Sequence, residues 1–204
     1  MFHVKHEAIT TAFSIAKPTL EKYAQWLATE GLTRGLLGPR EVDRIWDRHI
    51  ANCAVIEALI PRNATVADIG SGAGLPGLVL AIVRPDITCT LIEPLLRRSE
   101  FLAEVITDLE LPNVEVLRAK ADQISNLKVD IVTARAVAPL NRLLTWALPL
   151  MKPAGAILAM KGSAAADEIS QAAHELAGYT AEIVKVGTGF VDPPTTVVQV
   201  KKAQ

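Results

Sequence analysis

Hydrophobic positions change their period partway along the chain. Between Lys17 and Thr29, Leu20, Tyr23, Ala24 and Leu27 share one helical face, and Pro18 suits a first helical turn. Gly31, Gly35 and Gly38 then interrupt the pattern. From Pro39 to about Ile60, Val42, Trp46, His49, Cys53, Ile56 and Leu59 recur at helical spacing, and Pro61 lies just past the end. Beyond this point short apolar runs take over. Thr65–Ile69, Thr88–Ile92, Val114–Leu117, Val129–Thr133 and Ala156–Met160 read as strands. Pro76–Val83, Arg97–Glu110, Leu140–Leu150 and Ala164–Ala177 read as the helices between them. Unbroken β-branched runs such as Asp130–Thr133 suit strands buried on both faces, and strand–helix alternation predicts a parallel sheet covered on both sides. Ala181–Val186 and Thr196–Val200 break the alternation. Only a Gly/Pro-rich loop joins them, stiffened by Pro193-Pro194, so they are expected to pair antiparallel. The predicted fold is α/β: a Rossmann-like, mostly parallel seven-stranded sheet with an antiparallel last strand. A helical extension over residues 1–63 precedes a core over residues 64–204, the two forming one compact domain.

Composition narrows the class. A chain of 204 residues suits one domain. Half of it is hydrophobic and 21% charged, which excludes a disordered polyelectrolyte. The net charge of −1 excludes a globally basic protein but leaves room for a local basic patch. Cys53 and Cys89 stand far apart, which argues against a disulfide framework or a zinc site and for two buried thiols; no metal is expected. Met1–His6 is polar, unlike a signal peptide. The greasiest run, Leu75–Val83, contains Pro76 and Gly77 and falls short of the ~18 apolar residues of a membrane span. The expectation is a protein of the reducing cytosol with no membrane partner.

The chemistry-bearing motif is Asp68-Ile69-Gly70-Ser71-Gly72-Ala73-Gly74-Leu75-Pro76-Gly77, at the end of the first strand and the start of a helix. In an open α/β sheet, ligands bind at this end of the strands. Two readings compete. Gly72–Gly77 fits G-x-G-x-x-G, a dinucleotide signature that is weak alone. The longer pattern, D-x-G-x-G-x-G, puts a carboxylate two residues before the first glycine. That carboxylate can meet the ammonium of S-adenosylmethionine (AdoMet), whereas it would repel a pyrophosphate. Glu93 closes the second strand about 20 residues on, where an acid suits ribose hydroxyls in either ligand. The late position of the loop and the antiparallel closing strand favour a class I AdoMet-dependent methyltransferase.

These segments together resemble the bacterial small-subunit ribosomal RNA methyltransferase G family, also called glucose-inhibited division protein B. The resemblance runs from about Leu36 to Lys161. It rests on Asp68–Gly77 with its L-P-G ending, Ile92-Glu93 with Arg97-Arg98 and Phe101-Leu102, Ala134-Arg135-Ala136 with Leu140-Asn141, Met160-Lys161-Gly162, and W-D-R-H-I at Trp46–Ile50. Members methylate N7 of a guanine in the 16S ribosomal RNA loop (the 530 loop) near the decoding site. The resemblance implies a class I AdoMet-methyltransferase fold, AdoMet as cofactor, and 16S rRNA or the small ribosomal subunit as partner. It implies that Gly70 and Leu75 hold the methionine part, within a cofactor set that also takes in Asp68, Ser71, Gly72 and Gly74. Glu93 would bind the ribose, and Ala121 and Asp122 would face the adenine. Arg135 would stand near both cofactor and target base as the catalytic candidate.

Guanine N7 carries an in-plane lone pair and needs no general base, so transfer is expected to be direct, in line, and free of a covalent enzyme intermediate. RNA contacts are expected from Arg48, Arg97, Arg98 and Lys161, with Arg34, Arg40, Arg44, Arg142 and Lys152 as further cations. His49 reads as a satisfied core or interface histidine, and Trp26, Trp46 and Trp146 as core or cover. A monomer is expected. Three alternatives stay open: an NAD-dependent oxidoreductase, a small-molecule methyltransferase, and an RNA-binding module without catalysis.

Overall fold

The computed structural model describes residue 11 and residues 13–203; the polar Met1–His6 lies outside the described residues. Seven strands form one sheet: β1 (Thr65–Ile69), β2 (Thr88–Ile92), β3 (Val114–Leu117), β4 (Val129–Arg135), β5 (Met151–Lys161), β6 (Tyr179–Val186) and β7 (Thr195–Lys202). Their order is β3-β2-β1-β4-β5-β7-β6. β7 runs antiparallel to both neighbours, while the pairs among β1 to β5 are parallel. The strand order reverses between β1 and β4, which places a ligand crevice at their carboxyl ends. β4 and β5 are longer than their apolar runs suggested, so Arg135 is the last residue of a strand rather than a loop residue beyond it.

Alternation along the strands divides the core in two. Val66 points to one face of the sheet and Ala67 and Ile69 to the other. The second face is covered by α5 (Leu140–Ala147), with Leu140, Leu143, Leu144 and Ala147 buried at helical spacing, and by the short α6 (Ala165–Gln171). Truncating one of these leucines to alanine would cost about 2–5 kcal/mol. The first face is covered by α3 (Gly77–Val83), α4 (Leu96–Asp108) and the N-terminal helices.

The N-terminal helices depart from their sequence reading. α1 (Lys17–Trp26) continues as a π-helical turn over Leu27–Gly31. The expected single helix over Pro39–Ile60 is a chain of short turns instead. These are a 3-10 segment Pro39–Arg44, a π segment Ile45–Ile50, α2 (Ala51–Ala54) and a 3-10 segment Val55–Leu59. A π turn widens the backbone spiral and frees carbonyls for other donors. Here the Arg48 carbonyl accepts from Asn52 Nδ2 and from the Arg135 guanidinium. Three further contacts fasten this segment to the core. Trp26 Nε1 donates to Asp108, the Arg34 guanidinium pairs with Glu104, and Arg84 donates to the carbonyls of Glu57, Ile60 and Pro61.

Candidate active site

Two cavities open at the carboxyl ends of the strands and meet at Ala136 and Val137, which line both. The smaller, about 490 Å³, lies over β1, β2 and the turn after β3. Its walls are Ile69, Gly70, Ile92, Glu93, Pro94, Leu95, Arg98, Lys120, Ala121, Asp122, Arg142 and Trp146 besides the shared pair. The larger is an open cleft of about 1540 Å³ between β4, β5, the start of β7 and the N-terminal segment. Arg44, Arg48, Arg135, Lys161 and Lys185 line it, together with Asp47, Asp167, Glu168 and Asp192.

The glycine turn is rigid for identifiable reasons. Gly70 and Ser71 donate their N–H groups to the Ile92 carbonyl. Gly70 has φ +66 and a Cβ there would lie 2.8 Å from Val137 Cγ2, so the turn requires glycine. Glu93, only 2% exposed, accepts from Gly72 N–H at 3.0 Å and from Leu95 N–H at 3.0 Å. Its carboxylate is thereby fixed at the cavity wall with lone pairs to spare. Tyr23 reaches in from α1, and its hydroxyl donates to the Ala73 carbonyl at 2.7 Å.

Asp68 sits beneath the turn rather than in the cavity wall. It is fully buried, and Oδ2 accepts from the Gly77 N–H at 3.1 Å. Oδ1 has no partner, nor does the hydroxyl of Thr133, the residue opposite Asp68 across the β1–β4 pair. Burial, helped by the nearby Glu93 charge, pushes the Asp68 carboxyl up to about 7, against the pull of the Ser71 hydroxyl and the Gly77 N–H. This arrangement bears on the ligand. The carboxylate occupies the first N–H of α3, the group a pyrophosphate would need.

Of the other expected cofactor residues, Gly70, Glu93, Ala121 and Asp122 line the smaller cavity. Ser71 is buried, with its hydroxyl on the Asp68 carbonyl. Leu75 packs on the first core cluster. Gly72 and Gly74 shape the turn from within. Arg135 lines the larger cleft, one residue from the wall shared with the smaller cavity. Trp146 and Arg142, stacked with the guanidinium 5.0 Å from the ring centroid, form a wall of the smaller cavity that no motif announced. Their i,i+4 spacing on one helix was the available signal.

The expected RNA-binding cations separate. Arg48 is exposed and lines the cleft. Arg97 is exposed but borders neither cavity. Arg98 faces the smaller cavity, 4.0 Å from Glu93. Lys161 is spent internally: its ammonium donates to the Ala138 carbonyl and pairs with Glu168, each at 2.7 Å. Glu168 in turn accepts from Leu140 N–H, so this trio clamps the segment between the two cavities. Lys161 uses two of its three ammonium donors in this way. Arg34 and Lys152 are likewise committed, to Glu104 and Glu30 and to Asp130.

Comparison with known proteins decides the family. A family model described as "GidB: rRNA small subunit methyltransferase G" matches residues 16–189. The chain belongs to the rRNA small subunit methyltransferase G family. It is 53% identical over 201 residues to the Ribosomal RNA small subunit methyltransferase G of Thermobifida fusca (strain YX), covering 97% of this chain and 85% of that one. It is 47% identical to the protein of the same name from Corynebacterium diphtheriae (strain ATCC 700971 / NCTC 13129 / Biotype gravis), covering 100% and 96%. Among solved structures, a SAM dependent methyltransferase from Aquifex aeolicus shares the fold, with TM-score 0.55 at 20% identity, covering 80% of this chain and 98% of that chain. Family membership removes the oxidoreductase alternative. Among the described residues no helix is long and apolar enough to cross a membrane, and no group of three or more His, Cys, Asp or Glu could hold a metal ion.

Proposed function

We propose that this protein transfers the methyl group of AdoMet to N7 of a guanine in 16S rRNA, acting in the cytoplasm as a monomer on the small ribosomal subunit. The reading is carried by two adjoining cavities of different character that share the wall Ala136–Val137, in a member of the methyltransferase G family. Bound AdoMet supplies an electrophilic methyl group on a sulfonium. The residues present fit it. Glu93 accepts from the ribose hydroxyls, Asp122 from the adenine amino group, and Trp146 and Leu95 cover apolar faces of the nucleoside. Gly70 lets the chain pass close by. Asp68, buried beneath the turn, supports it from below through the Gly77 N–H. Ser71, Gly72, Gly74 and Leu75 keep the turn in shape.

The cleft holds the nucleotide. Arg44 and Arg48 meet phosphates, and Arg135 donates to an acceptor oxygen of the target. N7 attacks in line, so the rate comes from holding the two reactants aligned rather than from proton transfer. The carboxylates of Asp47 and Asp167 at the rim favour the cationic base that results. A-form RNA hides N7 in a deep narrow groove, so the acceptor is a base in a loop or one splayed out of its stack.

The test is methyl transfer from labelled AdoMet to small subunits lacking the modification, followed by mapping of the label. Label at N7 of one guanine is the expected result. RNA left unlabelled while S-adenosylhomocysteine binds would favour a different methyl acceptor.

A further inference from the structure

Arg135 is anchored by residues far away in the chain. One terminal nitrogen donates to Cys53 Sγ at 3.3 Å. The other donates to the Arg48 carbonyl at 3.2 Å and meets His49 Nδ1 at 2.8 Å. The opposite ring nitrogen, His49 Nε2, lies 2.9 Å from Glu41 Oε2. A guanidinium only donates, so Nδ1 must carry a lone pair, and the ring proton must sit on Nε2 and be given to Glu41. An imidazolium would set N–H against N–H. Burial and the Arg135 charge push His49 down to about 4, while Glu41 pulls it up. The charged groups facing the ring are Glu41 and Arg48 from the N-terminal segment and Arg135 from β4, with the Cys53 thiol on the far side of the guanidinium.

We propose that Glu41 and His49 are positioning residues for Arg135. Glu41 selects the Nε2–H tautomer. The lone pair thus left on Nδ1 fixes the plane of the guanidinium at the wall of the cleft that Arg135 lines. Three of the five N–H donors are used within the protein, leaving two for the target nucleotide. The proposal rests on the rRNA methyltransferase reading for what Arg135 acts upon. It gives the π segment Ile45–Ile50 a purpose, because that turn presents the Arg48 carbonyl and His49 to the same guanidinium.

Two measurements on the full chain test it. Long-range proton–nitrogen NMR at pH 7 reads the tautomer directly. The expected signature is an unprotonated Nδ1 and a protonated Nε2 at His49; an Nδ1–H tautomer or an imidazolium overturns the proposal. Kinetics with undermethylated small subunits read the consequence. His49→Phe and Glu41→Ala should each lower kcat about ten-fold, the effect of losing one charge-assisted hydrogen bond, with S-adenosylhomocysteine affinity kept. Glu41→Gln should retain most of the rate, because its amide oxygen still accepts from Nε2–H, and His49→Asn should recover part of it. Wild-type kcat in His49→Phe overturns the proposal. So does an equal loss in Glu41→Gln and Glu41→Ala, or a loss matched by weaker cofactor binding, since either describes mere structural support. A wild-type protein that leaves the subunits unmethylated overturns the functional reading instead, while the tautomer still decides the geometry of the relay.

Discussion

The two cavities share a wall and little else. The smaller is built around the ends of β1, β2 and β3, and its buried carboxylate is locked by the backbone: both Glu93 oxygens hold main-chain N–H groups, and the turn they brace contains three glycines at positive φ. The larger draws on the N-terminal segment, β4, β5, α6 and the loop before β7, and its polar groups are side chains of both signs. In the proposed reading, a small nucleoside of fixed shape is matched by a wall that loses little entropy on binding, and a folded RNA, which brings its own shape, is met by cations that need only reach phosphate.

The largest effect should come from the group on which the smaller cavity turns. Glu93→Ala removes the proposed ribose acceptor and frees two loop N–H groups. Calorimetry should show S-adenosylhomocysteine affinity about a hundred-fold lower, ~2–3 kcal/mol, with subunit binding intact. Unchanged affinity would move the cofactor out of that cavity. Next comes the contrast between two cations of the larger one. Arg48→Ala should reduce the slope of log affinity for small subunits against log salt by about one. Lys161→Met should leave that slope alone and instead lower stability by about 1–2 kcal/mol, because Glu168 loses its ion-pair partner and keeps only the Leu140 N–H. A changed slope in Lys161→Met would return that lysine to the RNA surface.

Asp68, beneath the glycine turn, gives the fold a pH signature. Its carboxyl is raised in the folded state to about 7, against an unfolded value of 3.8, so the folded protein holds a proton that the unfolded chain releases. Its contribution to stability is therefore fully present below about pH 4 and is lost as pH rises toward 7. Asp68→Asn should flatten the fall in thermal midpoint across that window. An equal fall in wild type and Asp68→Asn between pH 4 and 7 would show that Asp68 does not keep its proton in the folded state.

The same contrast explains what the sequence disclosed. The smaller cavity was partly legible: Gly70 and Glu93 stand at strand ends that hydrophobic period locates, whereas Ala121 and Asp122 were indicated by the family resemblance. The larger cleft was not. The partners of Arg135, Lys161, Arg34 and Lys152 are carboxylates, carbonyls and a histidine brought near by the fold; His49 precedes Arg135 by 86 residues. No local pattern says whether a lysine is free or clamped. The break of Pro39–Ile60 into π and 3-10 turns was also hidden, since apolar spacing tolerates a widened turn without changing which face is buried.

The smallest effect should come from the contact that joins the two regions. Tyr23 belongs to α1, on the same N-terminal segment that supplies one side of the larger cleft, yet its hydroxyl braces the glycine turn of the smaller cavity through Ala73. Tyr23→Phe keeps the buried ring and deletes only that donor. The Ala73 carbonyl is left without it, at a cost of about 1 kcal/mol in stability. If the hydroxyl also holds the turn in its binding shape, S-adenosylhomocysteine affinity should fall about two- to five-fold, through faster release. The outcome separates two ways of building such a site. A loss of stability with affinity kept would mean that the strands and Glu93 alone fix the turn. A loss of both would mean that the N-terminal helices, besides walling the cleft, are part of what makes the cofactor cavity rigid.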